Sequence, residues 1–119
     1  MRYDATVGPN PGEWKSSDEA ERLRAVRAHH AGDQADLPDV RLHAALHVVV
    51  ENQIAEGHKA VLRALERLTA EGLDRHSAIH AISSVVARQM HALLKDAAAG
   101  FDAAAYARDL DALSASERA

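Results

Sequence analysis

Residues 40–56 read VRLHAALHVVVENQIAE, and the period of this stretch decides the fold. Alone, Val48, Val49 and Val50 form a β-branched run of the kind strands favour. Over the whole window, Leu42, Leu46, Val49 and Gln53 recur at helical spacing, as do His43, His47 and Glu51. Strand alternation fails across the same residues, and Gly57 provides a helix stop. The segment is therefore expected to be a helix with an apolar face and a line of titratable groups beside it.

The flanking sequence follows the same period. Ahead of the helix, residues 33–39 read as a loop: Pro38 biases Leu37 away from helical geometry, and Asp39 is placed as an N-cap. Further upstream, Ser16 and Glu19 fit a capping box for a helix that carries Leu23 and Val26 and ends near His30 to Gly32. Residues 1–16, rich in glycine and proline, are expected to be an irregular arm, with Trp14 pinning it to the body.

Downstream, residues 58–70 place Val61, Leu62, Leu65 and Leu68 on one face, and His58 either caps that helix or projects into solvent. Asp74 caps a longer helix over residues 75–99, with Ile79, Ile82, Val86 and Leu93 on one face, widened by Val85, Met90 and Leu94. A short alanine-rich helix over residues 102–113 is expected to dock weakly. The fold class is all-α. A single bundle of about four main helices occupies residues 17–113, and residues 114–119 form a frayed tail.

Composition narrows the function. The chain has 119 residues, 47% hydrophobic and 27% charged, which suits one globular domain. It lacks cysteine, which removes disulfides, thiolate ligands, iron–sulfur clusters and a cysteine nucleophile. A net charge of −4 and only 3% aromatic residues argue against nucleic acid as a partner. Arg22, Arg24 and Arg27 make a small basic patch that neighbouring acids dilute. No apolar leader or span of about 20 apolar residues is present, so a cytoplasmic protein without a membrane partner is expected. There is no G-x-S-x-G elbow for a serine hydrolase.

Histidine is the anomaly, with 8 residues. His43, His47 and Glu51 are spaced four apart, so a helix keeps them on one side. His76 and His80 repeat the spacing on the longer helix. His91 returns to nearly the same face about 16 Å further along, too distant to share one ion. The two helices bearing the pairs are the most apolar segments. If they pack side by side, His47, Glu51, His76 and His80 converge, with His43 as a fifth ligand or a supporting neighbour. Such a donor set suits zinc, iron, nickel, cobalt or manganese. It is neither H-E-x-x-H nor a pair of E-x-x-H motifs, so protease and diiron chemistry are not implied.

The segments LHAALHVVVENQIAEG and GLDRHSAIHAI resemble a family of small uncharacterised bacterial helical domains with an H-x3-H-x3-E-x-Q pattern and a GLDRH-x3-H segment. The resemblance spans about residues 37–95. It implies that His43, His47, Glu51, Gln53, Asp74, Arg75, His76 and His80 belong together, and it implies no activity. Arg75 is expected to pair with Glu51 or Glu71, as a surface salt bridge or as an anion binder. Gln53 is expected to be a buried amide bonded to a helix end, or a donor that orients a ligand.

The functional expectation is a metal-binding helical protein with its His/Glu site between two helices. It is read as a metal-dependent hydrolase or redox enzyme acting on an unspecified small molecule, with Glu51 moving protons. The alternatives are a non-catalytic metal store, sensor or carrier, or an interaction module in which the same residues form a buried hydrogen-bond network. A homodimer is compatible with each.

Overall fold

The periodicity of residues 40–56 is realised as a helix, and it divides the protein's two apolar clusters. The computed structural model describes residues 3–29 and 40–115. It contains α1 (Pro11–Ser16), α2 (Glu19–His29), α3 (Val40–Ala55), α4 (Lys59–Ala70), α5 (Arg75–Lys95), a 3-10 turn (Ala97–Ala99) and α6 (Ala103–Ala112). All the regular structure of the described residues is helical. The expected loop at 33–39, its Asp39 cap and the end of the first helix at His30 lie outside the described residues.

Helix α3 is covered on two sides. Ala44 and Val48 pack with Tyr3, Ala5, Trp14, Ala25 and Val26. Val50 packs with residues of α4, α5 and α6, including Leu68, Ile79, Ile82 and Leu110. His43, His47 and Glu51 run along the seam between these two sides, as a spacing of four on a 3.6-residue helix requires. Leu42, expected on the apolar face, is exposed. The burial stripe is rotated toward Ala44 and Val48, because the N-terminal segment supplies a second apolar partner there.

Residues 1–16 were expected to be irregular, but residues 11–16 form a helical turn. Asn10 caps it by accepting from Glu13 N–H, and Pro11 occupies its first position. Trp14 is fully buried, as an anchor should be, and its Nε1 donates to Asn52 Oδ1 at 2.8 Å. The expected Ser16 capping box is replaced: Ser16 ends α1, and Asp18 accepts from Glu21 N–H at the start of α2. Arg22 is not a patch residue. Its Nε donates to the Trp14 carbonyl, its Nη1 to Asn52 Oδ1, and its guanidinium lies 5.6 Å from the Trp14 ring centroid.

The later caps match the sequence. His58 caps α4 by accepting from Val61 N–H, and Asp74 caps α5 by accepting from Ser77 N–H at 2.7 Å. On α4, Ala60 and Ala64 are buried where Leu62 was expected, and Leu62 is exposed. Helix α5 stops at Lys95, short of the expected 99. Its buried residues end at Val86, leaving Met90 and Leu94 exposed. Helix α6 docks firmly rather than weakly. Tyr106 and Leu110 are buried, and Arg67 Nη2 donates to the Leu110 and Leu113 carbonyls. The Ala115 N–H donates to Glu71 Oε1, so the start of the expected frayed tail is tied down.

Candidate metal centre

Helices α3 and α5 lie side by side and bring their histidines together. The rings of His43 and His47 are 4.8 Å apart between centroids, and those of His43 and His80 are 4.6 Å apart. His47 and His80 are separated by 4.9 Å. One ligand atom from each of these three lies within 4.8 Å of the others. His76 flanks the trio, 4.4 Å from His80 and 5.3 Å from His47. His47 is fully buried, and the Nε2 atoms of all four are sealed from solvent. His91 is exposed and adds nothing to the cluster.

Glu51 takes a different place from the one expected. It is not part of the converging trio, and neither is His76. Both carboxylate oxygens of Glu51 are engaged by Arg75, Nη1 to Oε2 and Nη2 to Oε1, each at 2.7 Å. The Tyr3 hydroxyl donates to Oε2 at 2.5 Å. Glu51 is fully buried, so this is an interior pair rather than the surface salt bridge expected for Arg75. A carboxylate held by a two-pronged guanidinium and a phenol has little lone-pair capacity left for a metal or a moving proton. Glu51, expected as a ligand and proton carrier, is here engaged by Arg75 and Tyr3.

That engagement reaches His47 through Tyr3. The phenol oxygen is 3.3 Å from His47 Nδ1. Its single proton is committed to Glu51, so toward His47 the oxygen accepts. In the neutral ring Nδ1 then carries the proton and Nε2 the lone pair. Burial above all, and then the charge and hydrogen bond of Glu51, push the Tyr3 phenol well above its ordinary value, so it stays protonated at any ordinary pH. Burial works against the Arg75 charge, but the bonds to Glu51 and its charge outweigh it and raise the guanidinium value further.

The N-terminal segment is fastened over this chain of contacts. Arg75 Nη1 also donates to the Ala5 carbonyl at 2.9 Å. Gly8 stands against the same guanidinium with φ +86°, and a Cβ there would fall 2.7 Å from Arg75 Cζ. Both the backbone conformation and the space therefore require glycine. Tyr3 was not anticipated in the site. The only signal in the sequence was an aromatic residue in a turn-rich arm, which does not say where the arm folds back. Gln53, read as a ligand-orienting or helix-end amide, instead accepts from the Tyr106 hydroxyl at 2.7 Å and ties α6 to α3.

No helix among the described residues is long and apolar enough to cross a membrane. Comparison with protein-family models, curated proteins and solved structures yields no match, and the site is read from its geometry.

Proposed function

We propose that this chain is a transition-metal-binding helical protein whose ligands are His43, His47 and His80. The observation that carries the reading is the convergence of one ligand atom from each within 4.8 Å. For any such trio a point exists within about 2.8 Å of all three. Metal–imidazole bonds are about 2.0–2.1 Å, so closure needs less than about 1 Å of movement per side chain. The donor set fits the group chemically. The histidines need only be neutral, and the contact to Tyr3 presents Nε2 of His47 as a lone pair.

Three imidazoles without a carboxylate suit zinc, cobalt, nickel or iron better than manganese, which prefers oxygen donors. Three protein ligands are also the number used at catalytic rather than structural zinc sites. This favours a metal-dependent enzyme, hydrolytic or redox, over a store or carrier. A bound ion would supply Lewis acidity or a redox centre. The Arg75–Glu51–Tyr3 chain holds His47 in one orientation, and the packing of α3 on α5 sets the spacing of the trio.

The test is elemental analysis of protein purified without a histidine tag. About one ion per chain is expected. His80→Ala should lose it, and His91→Ala, at an exposed histidine, should keep it. Added zinc at 100 times its Kd should stabilise the apo protein by about 2.7 kcal/mol. No metal and no stabilisation would leave the second reading, a buried polar network built on Tyr3, Glu51 and Arg75, which the three hydrogen bonds to the carboxylate favour.

A further inference from the structure

We infer that the metal centre takes one small exogenous ligand through the cleft beside His43 and His80, held there by a hydrogen bond from Ser83; this rests on the metal reading above. The ligand class is a monovalent anion or a neutral molecule with a nitrogen or oxygen donor atom.

The trio is walled on one side, and on the other a cleft comes up to two of its rings. Behind His47 stand Tyr3 and Glu51, both buried. On the other side a cleft of about 210 Å³ is lined by His43, Leu46, His80, Ser83, Ser84 and Ala87. It reaches the trio along the His43–His80 edge and includes neither His47 nor His76. A water molecule occupies about 30 Å³ of liquid, so a ligand of several heavy atoms fits. No charged residue lines the cleft, so the ion alone must neutralise a ligand's charge. With no Arg or Lys in the cleft, a small anion or a neutral donor suits it better than an oxyanion such as phosphate, which is held by several charged donors.

The two serines differ. Ser84 Oγ donates to the Ala81 carbonyl at 2.6 Å. Ser83 is only 6% exposed, and its Oγ has no hydrogen-bond partner among the described residues. A buried hydroxyl left this way is costly, and an acceptor atom on a ligand would satisfy it. Ser83 sits one helical turn beyond His80 and lines the cleft with it.

The experiment loads the apo protein with cobalt(II) and titrates azide, following the visible d–d absorption. A saturable spectral change is expected with azide and a weaker one with phosphate. Ser83→Ala should weaken azide about fivefold, the worth of one hydrogen bond, with cobalt affinity within about twofold. Ser84→Ala should leave azide affinity unchanged. Leu46→Trp should fill the cleft and exclude azide while cobalt still binds. Cobalt uptake with no azide response, as in a site closed by His76 as fourth ligand, overturns this inference alone. So does a Ser83→Ala protein that binds azide like the wild type. Failure of the wild type to take up cobalt overturns the metal reading itself.

Discussion

Tyr3 donates its hydroxyl to Glu51 at 2.5 Å across a sequence separation of 48 residues, and its oxygen stands 3.3 Å from His47 Nδ1. The phenol thus links an ion pair to a candidate metal ligand. Tyr3→Phe keeps most of the buried ring and removes only this link. Groups that orient a metal-bound imidazole are typically worth 10- to 100-fold in affinity. Zinc affinity measured by chelator competition should fall by at least about tenfold. Unchanged affinity would show that His47 is oriented by packing alone.

Arg75 faces a fully buried carboxylate and is itself mostly covered. Removing one partner strands the other, at a cost of about 3–5 kcal/mol for buried pairs. Arg75→Met should lower urea stability by about that much. The double variant Arg75→Met with Glu51→Gln should recover much of the loss, because no charge is left buried. A loss below about 1 kcal/mol in the single variant would mean that water reaches Glu51 freely.

Burial pushes the Tyr106 phenol up to about 12, and its bond to Gln53 only partly offsets this. The folded value is above the unfolded one, so the contribution to stability is complete below about pH 10 and is lost as pH rises toward 12. Tyr3 acts in the same direction. Absorbance at 295 nm should show neither of these two tyrosines ionising near pH 10 while the protein is folded. Tyr106→Phe should make the alkaline loss of stability shallower. Normal titration of both at pH 10 would contradict their burial.

Asp74 behaves oppositely. Its carboxylate accepts the Ser77 N–H at the start of α5, and that bond holds it below its ordinary value of 3.8. The contribution is present above that value and is lost as pH falls through the folded one. Asp74→Asn keeps a capping oxygen but cannot titrate. Its acid unfolding curve should depend less on pH below about 4 than that of the wild type. Identical curves would place the acid sensitivity elsewhere.

Much of the architecture was legible because it is written in short-range signals. Asp74 at a cap, Gly57 after a helix and the 3.6-residue recurrence of apolar groups act within a few residues of themselves. The pairing of His43 and His47 on one helix, and of His76 and His80 on another, was legible for the same reason. The misplaced apolar residues share one cause. Leu42, Leu62, Met90 and Leu94 have the right period, but whether a position on a helix is covered depends on where its neighbours end. Ala60 and Ala64 are buried in the core that α4 shares with α3, α5 and α6.

The roles of Glu51 and Tyr3 had no local signature. By spacing, Glu51 is equivalent to a third ligand on the histidine line. Its fate is set by Arg75, 24 residues away, and by Tyr3, 48 residues away, and both groups arrive only through folding. The sequence by itself determined the helices, their caps and the two histidine pairs, because backbone hydrogen bonding and side-chain period are local. Only the tertiary structure decided which three imidazoles converge and that the carboxylate beside them is consumed by a guanidinium and a phenol. Those are contacts between distant segments, and their energy comes from burial and charge pairing that no single segment contains.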